Sequence, residues 1–364
     1  MAARYRSVRD LDWPLIVVAL VICGMGVLQI YSAARDTVWE DAWWKQALWV
    51  GAGLVVMWIT AQIDYHNLIG KSFIFYAVGI ILLIAVLFMG TTVFGGKRWL
   101  GYGPMKLQIS EFVKTVLILL VARYLTEMKS DRVEGRDLLK LGGLVAVPML
   151  LVMKQPDLGT SLTYLPILGI GVLLAGLRWQ YLATIAVIFV IVLPISWKFV
   201  LKDYQKARLS TFLDPGEDPQ GRGYQVIQSR IAVGAGGMWG RGVTKGTQTQ
   251  LRFLPVPHTD FIFSAFAEEH GFVGVVVMLG LYFLLLMQIV QNAQTAPDRA
   301  GMYVCMGVCA LLLFHILVNI GMVVGKMPVT GIPLPLMSYG GSSILSFFLM
   351  LGLVNSVRLW RFVS

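Results

Sequence analysis

Ten apolar stretches dominate the chain: 13–33, 44–62, 72–91, 107–126, 138–153, 160–177, 180–198, about 260–290, 300–325 and 334–357. Crossing a bilayer as a helix takes roughly 20 such residues. Only 14% of the 364 residues are charged, against about 25% in a soluble domain, so no charged shell is available to dissolve these stretches. A mean hydropathy of +0.72 agrees. The expectation is an all-α polytopic membrane protein, a single transmembrane domain over 1–364 with ten transmembrane helices. The fifth and sixth segments are short and bracket Lys154-Gln155-Pro156-Asp157. The eighth contains Glu268, Glu269 and His270, and Gly271–Val290 is long enough to span alone, so 260–270 reads as a separate half-helix. Cys23, Cys305 and Cys309 all lie in apolar runs. They predict small apolar filler rather than a disulfide framework or metal site.

Arg4, Arg6 and Arg9 precede the first segment, which is too long for a secretory h-region and lacks a small-residue cleavage site. It reads as a retained helix with a cytoplasmic N-terminus. Ten spans then bring the C-terminus, with Arg358 and Arg361, to the same side. Residues 199–259 become a large extracytoplasmic loop between the seventh and eighth spans, and a loop of that length predicts short helices packed over the bundle.

The net charge is +10, and much of it falls on the outer side of this topology. The loop after the third span holds Lys97, Arg98 and Lys106. The large loop holds Lys202, Lys206, Arg208, Arg222, Arg230, Arg241, Lys245 and Arg252. Long translocated loops are largely exempt from the orientation rule, so a merely solvated loop is one reading. The other is an electropositive vestibule for an anionic substrate such as a phosphate or pyrophosphate. The Gly-rich run 234–240 lacks the strand and helix that would frame a dinucleotide site, and no nucleic-acid partner is expected.

Ionisable residues inside a bilayer are functional candidates by default. Glu111 and Lys114 are three apart and share a helix face, either as a neutralised packing pair or as groups lining a polar cavity. Asp157 precedes Leu158-Gly159-Thr160-Ser161 and reads as a helix cap or a site carboxylate. Glu268 or Glu269 must find a partner or stay protonated. His315 and Asn319 suit interhelical hydrogen bonding. In Leu254-Pro255-Val256-Pro257-His258-Thr259-Asp260-Phe261, Asp260 lies where the large loop re-enters the bilayer. It is either a helix cap, a role for which His258 and Thr259 compete, or a general base beside the basic vestibule. Three prolines and three glycines within 326–343 forbid a regular helix there. Irregular backbone at membrane depth must be buried in protein or line a cavity, so this segment is expected to complete the site. Ser342 and Ser343, at its end, read as substrate-binding groups. No Gly-x-Ser-x-Gly elbow makes either a nucleophile.

These stretches together resemble the SEDS family (shape, elongation, division and sporulation). The likeness is carried by Lys97-Arg98-Trp99-Leu100, Ser110-Glu111-x-x-Lys114, Gln155-Pro156-Asp157-Leu158-Gly159-Thr160 and Gly223-Tyr224-Gln225 with Gln228-Ser229. It continues through Ala232-Val233-Gly234, His258-Thr259-Asp260-Phe261-Ile262-Phe263 and Pro328-x-Thr330-Gly331-x-Pro333-Leu334-Pro335 to Ser338-Tyr339-Gly340-Gly341-Ser342-Ser343. The motifs run in chain order over about 95–343. The short N-terminal tail and Gly246-Thr247-Gln248-Thr249-Gln250-Leu251 favour the cell-elongation branch over the division branch.

The resemblance implies a peptidoglycan glycosyltransferase of the bacterial cytoplasmic membrane. Such a protein polymerises lipid II, an undecaprenyl-pyrophosphate-linked disaccharide peptide, at the outer face. It works with a class B penicillin-binding protein transpeptidase in the elongation machinery. Asp260 matches the family's essential acid. Joining a sugar C1 to the 4-hydroxyl of another lipid II needs a base, and it needs charge stabilisation for the departing pyrophosphate. Asp260 is expected as the base. Arg98, Lys114 and Lys245 are expected on the leaving group, with Glu111 orienting Lys114, and Asp157, His258 and Thr259 on substrate. A divalent cation, Mg or Mn, is compatible with this chemistry, but no carboxylate cluster designates a metal site. The lipid tails are expected in a groove open to the bilayer. The rival class is a transporter, a lipid II flippase, which broken helices and an intramembrane ion pair also suit.

Overall fold

The computed structural model describes residues 10–361 apart from 94–95, 103–104, 129, 131, 196–205, 207–209, 215 and 217–222. Arg4, Arg6, Arg9, Lys202, Arg208 and Arg222 therefore lie outside the described residues. In chain order the helices α1 (Trp13–Ala34), α2 (Ala42–Gln62), α3 (Tyr65–Gly70) and α4 (Ser72–Met89) lead into strands β1 (Thr91–Val93), β2 (Gly96–Tyr102) and β3 (Met105–Leu107). Then come α5 (Ile109–Glu127), α6 (Gly135–Lys154), α7 (Leu158–Leu162), α8 (Tyr164–Leu174) and α9 (Trp179–Ile195). The large loop contributes α10 (Tyr224–Ala235) and α11 (Thr247–Gln250), and the chain finishes with α12 (Ile262–Gln294), α13 (Arg299–Val323) and α14 (Gly341–Trp360).

Each of the ten expected segments contains a helix, the sixth being divided between α7 and α8. Among the described residues, five helices are by themselves long and apolar enough to cross a membrane: α1, α4, α12, α13 and α14. The final helix starts at Gly341 rather than at 334, because the prolines upstream keep 334–340 irregular. The loop after the third expected span is not featureless. It is a three-stranded antiparallel sheet in the order β1-β2-β3, with Leu100 opposite Leu107.

Small residues set the helix contacts. α14 lies along α2, where a Cβ on Gly53 would stand 2.4 Å from the Phe348 ring and one on Gly352 2.8 Å from Met57. Glycine there allows the close approach that drives helix association in lipid. α12 packs between α1 and α13. At one end of the bundle the wholly buried Asp12 accepts from Gln288 at 2.9 Å and from Asn292, and lies 3.2 Å from Arg358. A lone buried carboxylate would be costly; this one is matched by donors from α12 and α14. The three cysteines are free and buried.

The half-helix expected at 260–270 is present. α12 breaks at Gly271, whose φ of 65° and ψ of −168° are not helical. Part of the large loop fills the break. Gly237 and Met238 carbonyls accept from Phe272 and Val273 at 2.9 and 3.1 Å, while the Glu268 and Glu269 carbonyls accept from Arg241 and Gly242 at 2.9 Å each. A Cβ at Gly271 would sit 2.2 Å from Gly240 nitrogen, so glycine serves both the backbone angle and the approach. The loop thus supplies the hydrogen bonds that the interrupted helix lacks.

Candidate active site

The irregular segment between α13 and α14 is the hub on which most of the expected site residues converge. Prolines 328, 333 and 335 remove backbone donors, and the segment is instead fixed from outside. Tyr282 donates to the Pro335 carbonyl at 2.6 Å. Gln46 donates to the Ser338 carbonyl at 2.9 Å and accepts from Gly340 N–H at 3.1 Å. Leu336 is held at a φ of 64° while almost fully buried, the kind of backbone strain that surrounding contacts must over-determine.

Asp260 borders this hub and is half-buried. A Cβ on Gly331 would lie 3.4 Å from its Oδ2. Its carbonyl accepts from Asn319 Nδ2 at 3.0 Å. The N-cap position of α12 falls to Phe261, not to Asp260, Thr259 or His258. The Thr259 carbonyl accepts from Ser338 Oγ at 2.8 Å and the His258 carbonyl from Tyr339 N–H at 3.0 Å. The His258 ring is buried between Trp39, at 5.2 Å between centroids, and Tyr339, at 5.9 Å. Burial pulls its pKa down to about 4, so it is neutral near pH 7.

Asp157 serves as a helix cap, accepting from Thr160 N–H at 3.1 Å. Its other oxygen accepts from Gln108 at 3.0 Å and lies 3.7 Å from the Arg98 guanidinium. Arg98 also donates to the Gln155 and Pro156 carbonyls, which docks the small sheet on the α6–α7 turn. The cap reading of Asp157 therefore holds, and the same carboxylate also faces a cation. This group adjoins the hub directly, since a Cβ on Gly159 would collide with the Thr330 carbonyl at 2.4 Å. Ser342 Oγ accepts from Gln108 N–H at 3.0 Å and donates to the Lys106 carbonyl at 3.4 Å. Ser343 is half-buried in the first turn of α14.

Glu111 and Lys114 form the expected pair at 2.7 Å, but on the buried side of the hub. Lys114 has 0% exposure and Glu111 2%. The ammonium also meets His315 Nε2 at 3.2 Å, and His315 Nδ1 meets the Pro333 carbonyl at 3.1 Å. Lys245 is exposed on the turn before α11. Glu268 anchors that turn: its carboxylate accepts from the N–H groups of Gln248 and Thr249 at 2.7 and 3.1 Å and from the Thr249 hydroxyl at 2.8 Å. Glu269 accepts from Ser32 at 2.5 Å and Gln29 at 3.2 Å. Both acidic residues flagged in the eighth segment thus have partners.

The sequence reading missed Trp39, Gln46, Gln108 and Tyr282, and it placed His315 and Asn319 only as generic interhelical bonds. A polar residue in an apolar run was the available signal for Gln46 and Gln108; nothing local marks Trp39. Among the described residues, no group of three or more His, Cys, Asp or Glu side chains is arranged to hold a metal ion.

An apolar cavity of about 370 Å³ opens between α2, α4, α5 and α14, lined by residues including Ile63, Phe75, Gly79, Phe112, Val116 and Leu353.

The family described as cell cycle protein, FtsW/RodA/SpoVE, matches residues 12–361. The chain is 38% identical over 353 residues to peptidoglycan glycosyltransferase MrdB of Escherichia coli (strain K12), covering 96% of this chain and 94% of that one. It is 34% identical over 429 residues to peptidoglycan glycosyltransferase RodA of Treponema pallidum (strain Nichols), covering 98% and 99%. A solved structure described as "Structural coordination of polymerization and crosslinking by a peptidoglycan synthase complex" contains a chain that superposes with a TM-score of 0.84 at 34% identity, covering 97% of this chain and 99% of that one.

Proposed function

The chain belongs to the FtsW/RodA/SpoVE, or SEDS, family, and from that premise we propose that it polymerises lipid II at the outer face of the bacterial cytoplasmic membrane, with Asp260 as general base. It is a multi-pass membrane peptidoglycan glycosyltransferase. The observation that carries the assignment to Asp260 is its place. A half-buried carboxylate sits beside the irregular 328–340 segment and is fixed there through its backbone.

In the reaction, Asp260 takes the proton of the acceptor's 4-hydroxyl as that oxygen attacks C1 of the donor sugar. The new C1–O bond forms while the C1–O bond to pyrophosphate breaks, with inversion. The leaving pyrophosphate departs as an anion and needs no general acid, unlike the leaving alcohol of a glycosidase. Its charge is met by the partly exposed Arg98 and the exposed Lys245. Asp157 and Ser342 hold Arg98 and Gln108 in place, and His258, Thr259 and Ser343 border the sugar. The undecaprenyl tail is accommodated in the apolar cavity between α2, α4, α5 and α14.

A class B penicillin-binding protein is the proposed partner, in keeping with the synthase complex that contains the structural neighbour. Cell elongation is the proposed setting, in keeping with the relative named RodA. No observation favours the flippase reading, and the relatives above carry glycosyltransferase names. The test is reconstitution with lipid II and a transpeptidase-inactivated class B partner. Glycan strands should accumulate. Movement of fluorescent lipid II across the bilayer without strands would support the transporter instead.

A further inference from the structure

His315 and Asn319 are four residues apart on α13 and share one face of it. Both are fully buried. Asn319 Nδ2 donates to two carbonyls on separate segments, Asp260 at 3.0 Å and Ile332 at 2.8 Å. The reverse orientation of the amide would aim its oxygen at two acceptors, so the donors are fixed toward them. One turn back, His315 meets the Pro333 carbonyl through Nδ1 and the Lys114 ammonium through Nε2. The carbonyl can only accept and the ammonium can only donate. The ring is therefore neutral with its hydrogen on Nδ1.

The consequence is a continuous connection. Glu111 holds Lys114 at 2.7 Å, Lys114 donates to His315, and His315 holds Pro333. Next to it, Asn319 bridges Ile332 to the residue assigned as base. Prolines 328, 333 and 335 carry no N–H, and these two side chains tie the Ile332 and Pro333 carbonyls of the hub to α13. Lys114, with no solvent exposure, has no route to a pyrophosphate in this arrangement.

We propose that His315 and Asn319 are positioning residues that set the register between Asp260 and the 331–333 backbone, and that the buried Glu111–Lys114 pair serves the reaction through His315 rather than by touching substrate. This rests on Asp260 being the base. Misplacing a reacting group by about 1 Å costs on the order of 100-fold in rate, so the effect should fall on kcat.

The test is steady-state lipid II polymerisation by the full chain with its class B partner, with thermal unfolding midpoints read on the same samples. His315→Phe and Asn319→Leu should each lower kcat by at least about 10-fold with KM within about 3-fold of the parent. His315→Gln offers an amide oxygen to Lys114 and an amide hydrogen to Pro333, and should stay within about 3-fold of the parent. Parental kcat in His315→Phe and Asn319→Leu, a His315→Gln variant as impaired as His315→Phe, or a kcat loss that merely tracks the fraction folded would each overturn the proposal. Asp260→Asn is run alongside. If it still polymerises, the base assignment fails; if it is inactive while the α13 variants work normally, only the positioning role fails.

Discussion

Arg98 reaches across from the small sheet to Asp157 at the start of α7, with Nη1 3.7 Å from Oδ2, while the opposite carboxylate oxygen caps that helix. One side chain thus sets the helix start and the position of a cation proposed to meet pyrophosphate. Asp157→Asn keeps a capping oxygen and removes the charge. It should unfold near the parental midpoint yet raise the KM for lipid II. Asp157→Ala should also lose about 1 kcal/mol of stability, the usual worth of a cap. Thermal unfolding and polymerisation kinetics on the two variants separate the roles; a parental KM in Asp157→Asn would mean that the charge contributes nothing, and equal midpoints in the two variants would mean that the cap contributes nothing.

Glu268 fastens the turn carrying Lys245 to the half-helix that follows Asp260, using the amides of Gln248 and Thr249. Hydrogen bonds to a charged group are worth roughly 1.5–3 kcal/mol each. In Glu268→Ala, exchange of the 248 and 249 amides should therefore accelerate by about 10-fold or more, while amides in the middle of α13 stay protected. Unchanged exchange at 248 and 249 would show that the turn is held by something else.

His258 gives a pH signature. Burial lowers its pKa from 6.5 to about 4, so between those values the unfolded chain binds the proton that the folded chain refuses. Stability contributed by the neutral ring is complete above about pH 6.5 and falls as pH drops toward 4. His258→Phe should flatten this part of the curve. Unfolding midpoints from pH 7.5 to 4.5 measure it; parallel curves would contradict the burial argument.

In the first turn of α3, His66 bridges Asp64 at 2.8 Å and Asp298 at 2.7 Å. Burial alone would lower its pKa, but the two carboxylates outweigh it and raise the value above 6.5. The sign is opposite to that of His258. The contribution is fully present below about pH 6.5 and is lost as pH rises through the raised value. The stability difference between the parent and His66→Gln should therefore be larger at pH 6 than at pH 9. The ring is half exposed, so salt should reduce the difference. A gap that widens with pH would contradict the assignment.

The positions of the helices were legible in the sequence because apolar length reports directly on the bilayer. Even the interruption at Gly271 could be read, from the surplus length of the eighth segment and its Glu268-Glu269-His270 interior. The Glu111–Lys114 pair was legible because three-residue spacing puts both on one face. What they touch was not. Contacts of Lys114 with His315, of Asn319 with Asp260 and of Trp39 with His258 join residues 59 to more than 200 positions apart, and no local pattern encodes such pairing. The sheet at 91–107 escaped for a different reason: its two outer strands have three residues each, too short for an alternating pattern to register.

The central claim is that Asp260 takes the proton from the acceptor hydroxyl. It is tested most directly by lipid II polymerisation with Asp260→Asn protein that expresses and co-purifies with its class B partner as the parent does. No strands above the background of heat-inactivated protein are predicted; strands formed at the parental rate would contradict the account.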